Sequence, residues 1–81
     1  MKKLYNILSD NGDGSQSINW TLDYSVVEKL IELQDTNQLG NHWQSGDGLQ
    51  WSWLTVPDEC TYENLNIYSP LTLEDIEEES Y

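Results

Sequence analysis

Hydrophobic and polar residues alternate in several short stretches of the chain, which is the pattern typical of β-strands. The clearest example is residues 49–56, where Trp51 and Trp53 share one face with Leu49 and Thr55 because side chains alternate along a strand. Each indole ring can bury roughly 150 to 250 Å² of surface. We therefore expect this stretch to be the central strand around which the rest of the chain is organised.

Two β-hairpins are predicted from turn residues placed between alternating segments. Residues 3–9 and 16–22 flank an Asp10–Ser15 segment that contains Asn-Gly and Asp-Gly, the pairs that favour tight hairpin turns. In residues 16–22 the polar face, which includes Thr21, is expected to be in water and the face with Ile18 and Trp20 to be buried. A second hairpin is expected from Trp43 through Gly-Asp-Gly at 46–48 into the Trp strand, which Pro57 ends.

Residues 24–35 give the only long helical pattern in the sequence, because their apolar side chains gather on one half of a helical wheel. The helix start is marked by Ser25 with Glu28 three residues later, a capping-box spacing, while Asp23 is a competing N-cap. Thr36, Asn37 and Gln38 are poor helix continuers, and Gly40 is a candidate stop. These elements predict an α+β fold: a small antiparallel four-stranded sheet, hairpin-helix-hairpin, with one amphipathic helix packed on one face.

The chain is expected to form one domain, with a core at residues 1–57 and an acidic C-terminal segment at 58–81. That segment contains eight acidic residues and no lysine or arginine. Thr72 is a predicted N-cap, with Asp75 at the third helical position. Two interpretations stay open for residues 72–81, a short helix through Glu79 or a frayed acidic tail, because isolated helices this short are marginal.

The charge balance, 15 acids against 3 lysines, gives a net charge of −12 in 81 residues. Nucleic acid and anionic membrane are therefore unfavourable direct partners, and a basic protein is the favoured one. The single cysteine, Cys60, leaves no internal disulfide and no Cys-based zinc site, which fits a reducing cytoplasm. No stretch approaches the roughly 20 apolar residues of a membrane span.

No arrangement of residues predicts catalysis, and we expect neither an enzyme nor a cofactor. Cys60 and His42 are each unique in the chain, but no nucleophile signature surrounds either of them. Asp10, Asp13 and Asp47 would make a weak cation site only if the two hairpin tips met, and the turn fails the EF-hand pattern, so no metal is expected. At least two of the four tryptophans are expected in the core.

Charge density is the feature that points to a function. If residues 74–79 are helical, five carboxylates lie within about 9 Å at 1.5 Å per residue, a spacing comparable with the one charge per ~1.7 Å of duplex DNA. We expect a small cytoplasmic protein that inhibits a basic nucleic-acid-handling protein by mimicking nucleic-acid charge, of the phage anti-restriction or anti-CRISPR type or the nuclease-immunity type. The predicted partner-binding residues are Glu63, Glu74, Asp75, Glu77, Glu78 and Glu79, with Glu28, Glu32 and Asp35 as a second stripe.

A second hypothesis comes from a different class, a structural or adaptor protein that forms a homodimer through a sheet edge or a Trp patch. Salt separates the two hypotheses, because a complex held by carboxylates weakens as ionic strength rises and an apolar dimer does not.

Overall fold

The residues that the structure, a computed structural model, describes form three antiparallel strands, two α-helices and a short 3-10 helix. The structure describes residues 1–44 and 48–79, without the side chains of residues 77–79. Within these residues the α+β class is confirmed, with three strands where four were predicted. The elements are β1 (Lys2–Asp10), β2 (Gln16–Thr21), α1 (Tyr24–Asp35), the 3-10 helix (Asn41–Trp43), β3 (Trp51–Val56) and α2 (Leu73–Glu79).

The central strand of the sheet is β1, because the strand order is β2-β1-β3 with both neighbours antiparallel to it. The prediction that the Trp-rich strand is central was wrong, since β3 lies at an edge. Both faces of β1 carry buried apolar residues: Tyr5 and Ile7 belong to the core beneath α1, and Leu4 is buried on the opposite face. A strand that is apolar on both faces is better covered in the middle of a sheet than at its edge.

The predicted second hairpin is absent from the described residues, because its expected first arm forms the 3-10 helix instead. This short helix turns Trp43 into the hydrophobic core, where its side chain is almost completely buried. Burial of one indole ring removes up to roughly 250 Å² of surface from water. The free energy gained by this burial favours a turn that buries Trp43 over an extended arm beside β3.

Helix α1 spans the predicted residues and begins at Asp23, whose Oδ1 accepts a hydrogen bond from the backbone N–H of Ser25 at 2.9 Å. The capping box from Ser25 to Glu28 is therefore not the start of the helix, and the competing cap is used. One face packs into the core as predicted; its buried residues are Val26, Val27, Leu30 and Leu33.

The end of α1 is set by Asn37, which adopts a left-handed conformation with φ of 60°. The next backbone N–H, that of Gln38, donates to the carbonyl of Leu33 at 2.8 Å and closes the last turn. Asparagine is the residue that most commonly replaces glycine at this position. The helix therefore ends among the residues predicted to continue it poorly, and the candidate stop at Gly40 is not used.

Strand β2 presents its faces the other way round from the prediction. Thr21 is fully buried and lies opposite Tyr5, so the polar face of β2 points to the helices. On that face Asn19 donates one hydrogen bond to the carbonyl of Ile7 at 3.0 Å, while Ile18 on the other face is 57% exposed. Alternation alone fixes which residues share a face but not which face is covered.

The segment between β3 and α2 crosses the sheet face opposite α1 and then joins the core. Leu65 and Ile67 line a cavity of about 330 Å³ on that face, together with Leu4, Ile18 and Trp20. Further along the chain, Leu71 and Ile76 are buried in the same core as α1. The acidic C-terminal segment thus packs against both sides of the sheet.

Candidate anionic interface

An exposed acidic stripe runs along α1 on the side away from the core. Its members are spaced by four and three residues, and all three side chains are exposed: Glu28, Glu32 and Asp35. At 1.5 Å of rise per residue these carboxylates cover about 10 Å of helix length. The predicted second stripe is therefore present as one continuous face.

Helix α2 begins with the predicted N-cap. The Thr72 Oγ1 accepts a hydrogen bond from the Asp75 N–H at 3.3 Å, and the Asp75 Oδ2 accepts one from the Thr72 N–H at 3.1 Å. This reciprocal pair satisfies donors that the first turn of a helix leaves open, and an acid there also favours the helix dipole. One turn later, Ile76 is fully buried and fixes the helix to the core. The cap and this anchor hold α2 in place.

The two helices contact each other, and together they carry most of the acidic residues of the chain. Eight of the 15 acids lie in α1 and α2, against a single lysine, Lys29. Glu74 and Asp75 are exposed. Glu77, Glu78 and Glu79 belong to α2 by their backbone, and their side chains lie outside the described part of the structure.

The predicted partner-binding residue Glu63 lies in a different part of the fold from the helix acids. It is exposed in the turn that precedes Leu65 and Ile67, which pack on the sheet face opposite α1. Next to it, the Tyr62 hydroxyl accepts a hydrogen bond from the Leu22 N–H at 2.8 Å and ties this turn to the end of β2. Sequence position alone had grouped Glu63 with α2.

The basic groups do not neutralise the helix acids. Within the described residues the one ion pair joins the N-terminal amine of Met1 to Asp58 at 3.1 Å. Lys2 donates to the carbonyl of Cys60, and the Lys3 Nζ lies 4.4 Å from the centroid of the Trp53 ring. Two of the three lysines therefore sit on β1 with partners of their own, and among the described side chains no ion pair joins the third, Lys29, to the helix acids.

The acidic turn between β1 and β2 uses its carboxylates to hold the turn itself. Asp10 accepts a hydrogen bond from the Gly12 N–H at 3.0 Å. The Ser15 hydroxyl and backbone N–H both donate to Asp13 Oδ1, at 2.5 and 3.0 Å, and they lower the pKa of this carboxyl below its ordinary 3.8. Asp47, the third candidate ligand, lies outside the described residues, and no cluster suited to a metal occurs among those described.

The two candidate catalytic side chains lie in separate elements. His42 is part of the 3-10 helix, where its ring packs edge-on against Trp43 with 4.8 Å between ring centroids. Cys60 lies in the turn that follows β3, and its carbonyl is bound by Lys2. Each residue has a structural contact of its own, and no described contact joins them.

The tryptophans divide between the core and the surface. Trp43 is buried in the core, and Trp51 is partly buried and packs against the core, so one ring is fully buried where at least two were expected. Trp53 is 49% exposed on the edge strand, together with Leu54 on the opposite face. The sequence pattern predicted a central position for this strand, and the lack of any charged residue from Trp51 to Val56 fits either the centre or the edge of a sheet.

No family model matches the chain, and no curated protein or solved structure shows significant similarity to it. None of the helices in the described ranges is long and apolar enough to cross a membrane.

Proposed function

We propose that this protein is a non-enzymatic inhibitor that binds a basic nucleic-acid-handling protein in the cytoplasm. It presents the carboxylates of α1 and α2 where the target would hold phosphates. The biological setting that we propose is a phage protein of the anti-restriction or anti-CRISPR type, or an immunity protein against a nuclease toxin. The proposed contact residues are the exposed acids of α1 and the acids of α2.

The observation that carries this proposal is the joining of two acidic helices into one layer. Eight acids lie in two helices that contact each other, and none of the five whose side chains are described has an ion-pair partner among the described residues. Carboxylates concentrated in neighbouring helices raise the local negative potential, which steers a basic partner toward them. Glu63, on the other side of the sheet, is left out of the proposed contact.

The test compares two double variants that remove the same charge from different sides of the fold. E28Q/E32Q neutralises two of the three acids of the α1 stripe, and E59Q/E63Q neutralises two exposed acids in the segment after β3. Both leave the net charge at −10 instead of −12. The basic protein is first captured from a host lysate and eluted with salt, and inhibition of its nucleic-acid binding or cleavage is then measured directly.

We expect E28Q/E32Q to weaken inhibition about tenfold and E59Q/E63Q to weaken it less than about threefold. Inhibition by the unmodified protein should fall by a decade or more between about 50 and 300 mM salt. Equal loss in both variants would show that total charge matters and the helix layer does not. Capture of no basic protein, or inhibition that is independent of salt, would refute the proposal.

A second candidate function is that of a structural or adaptor protein that self-associates. The observation that favours it is the edge strand β3, with Trp53 and Leu54 exposed on its two faces.

A further inference from the structure

The two edges of the sheet differ in their contacts with the rest of the chain. At the β2 edge, the carbonyl of Trp20 accepts a hydrogen bond from the Leu71 N–H at 2.8 Å. At the end of the same strand, the Leu22 N–H donates to the Tyr62 hydroxyl at 2.8 Å. The C-terminal segment therefore binds the C-terminal end of the β2 edge. No strand pairs with the outer side of β3 in the described residues.

The register of β3 shows which backbone groups face outward. Leu8 N–H donates to the Gln50 carbonyl at 3.0 Å, one step beyond the paired residues Ile7 and Trp51. In an antiparallel ladder, hydrogen-bonded and non-hydrogen-bonded pairs alternate. The even-numbered residues of β3 therefore bond to β1, and the odd-numbered ones point their N–H and C=O groups away from it. These outward residues are Trp51, Trp53 and Thr55.

The side chains of β3 leave this edge open to pairing. The strand has six residues and no charge, proline or glycine, the devices that commonly block an edge. Trp53 is 49% exposed on the helix face and Leu54 is 42% exposed on the other, so both faces next to the edge are apolar. The charged group beside Trp53 is the Lys3 ammonium, which adds positive charge near this edge of a strongly acidic protein.

We propose that β3 pairs antiparallel with β3 of a second copy, about a two-fold axis that passes through Trp53. This deepens the second candidate function and does not depend on the inhibitor proposal. The outward N–H and C=O groups at residues 51, 53 and 55 are symmetric about residue 53. Residue 53 can therefore pair with residue 53 of the second copy and residue 51 with residue 55, as a two-fold interface requires. The result is a six-stranded sheet in the order β2-β1-β3-β3-β1-β2.

This register brings apolar side chains together on the helix face of the new sheet. Trp53 lies beside Trp53 of the second copy, and Leu54 lies beside Ser52 of the second copy, because directly opposed residues share a face. Because only one six-residue strand from each copy pairs, we expect the contact area to fall below the ~1,200 Å² of a standard interface, so the dimer should be weak and dependent on concentration.

The charge distribution favours a second copy at this edge over other surfaces of the protein. Strand β3 contains no acid, and α1 and α2 contact each other and the core beside β1. Repulsion between two copies therefore comes from charges that lie away from the paired strands. Salt screens these charges over a Debye length of about 8 Å at physiological ionic strength. The dimer should tighten as salt rises, opposite to the inhibitory complex.

The first experiment is sedimentation of the full chain from micromolar to millimolar concentration, at about 20 and 300 mM salt. We expect a monomer–dimer equilibrium that is at least about threefold tighter at high salt. T55P removes one outward N–H without touching the ladder to β1, and W53T removes the exposed ring and introduces a β-branched residue that favours a strand. Each variant, with its fold checked by circular dichroism, should weaken the dimer about tenfold.

A cross-linking experiment tests the register. In a C60S background, W53C places two thiols at the two-fold axis, where Cα atoms of a hydrogen-bonded pair are about 5.5 Å apart and a disulfide is allowed. The matched control is T55C, whose two sites lie about 14 Å apart in this register. We expect W53C to form covalent dimer under mild oxidation and T55C to form at least about tenfold less.

A monomer at every concentration and salt would overturn the proposal, as would a dimer that persists in both T55P and W53T. Equal cross-linking of W53C and T55C would overturn the register. If the chain is monomeric but a basic protein is captured and inhibited, the dimer fails and the inhibitor proposal stands. A foreign strand bound at the β3 edge of a monomeric protein would likewise assign that edge to another occupant and overturn the homodimer.

Discussion

The burial of Ile76 predicts that the acidic helix α2 is part of the cooperative fold. Ile76 is fully buried in the core that also contains residues of α1, although acids surround it in sequence. Replacement of a fully buried isoleucine by alanine costs the transfer free energy of the lost methyl and methylene groups and leaves a cavity. We expect I76A to lower the free energy of unfolding by about 3 kcal/mol.

This loss is large for a chain of 81 residues, whose total stability at about 0.05 to 0.15 kcal/mol per residue is about 4 to 12 kcal/mol. At about 4 to 8 °C per kcal/mol for a domain of this size, the melting temperature should fall by about 12 to 24 °C. Urea denaturation followed by circular dichroism measures the free energy directly, with the slope checked for a change in the unfolded state.

The matched control is L73A in the same helix. Leu73 is 37% exposed, so its truncation should cost less than about 1 kcal/mol. Removal of residues 72–81 should cost at least as much as I76A, because the deletion takes Ile76 with it. If I76A and L73A have equal effects, or if the deletion leaves stability unchanged, α2 is not anchored in the core and the reasoning is refuted.

Three further predictions concern charge and backbone conformation. Moderate salt should raise the melting temperature of the isolated protein between about 20 and 300 mM, because it screens self-repulsion at a net charge of −12; an unchanged melting temperature would mean that the acids are compensated. The Asp13 carboxyl, whose pKa the Ser15 hydrogen bonds lower, should favour folding above about pH 4, with that contribution lost as the pH falls through the folded-state pKa. In a carbon-13 NMR titration S15A should raise this pKa toward its ordinary value, and no shift would contradict the assignment. N37A should destabilise the protein by about 1 kcal/mol because alanine disfavours the left-handed φ at this position, whereas N37G should be neutral or stabilising. Urea denaturation of both variants measures the two changes in stability, and equal changes would refute this account of the helix end.

Local sequence determined the elements whose formation depends on neighbouring residues. The Asn-Gly and Asp-Gly turn predicted the β1–β2 hairpin, and the helical period predicted α1 at its observed limits. The Thr72 to Asp75 spacing predicted the cap of α2, because a cap is made by residues three apart. The acidic stripe of α1 followed from the same helical period.

Tertiary structure alone decided how these elements are arranged. The alternation in β2 is the same whether Ile18 or Thr21 faces the helices, and packing of the C-terminal segment on the Ile18 face made the choice. Strand order depends on contacts between residues far apart in the chain, so the Trp-rich strand was compatible with the centre or the edge. Burial of Trp43 replaced a fourth strand with a 3-10 helix.

The same division holds for the candidate interface. The number of acids and their positions along each helix are properties of the sequence, and they predicted a dense anionic surface. Only the packing of α2 beside α1 through Ile76 placed two acidic helices in one layer and left Glu63 on the other side of the sheet. The physical reason is that like charges repel one another at any position on the surface and so do not select one arrangement of the helices. Burial of an apolar side chain does select one, and it thereby holds particular charged surfaces together.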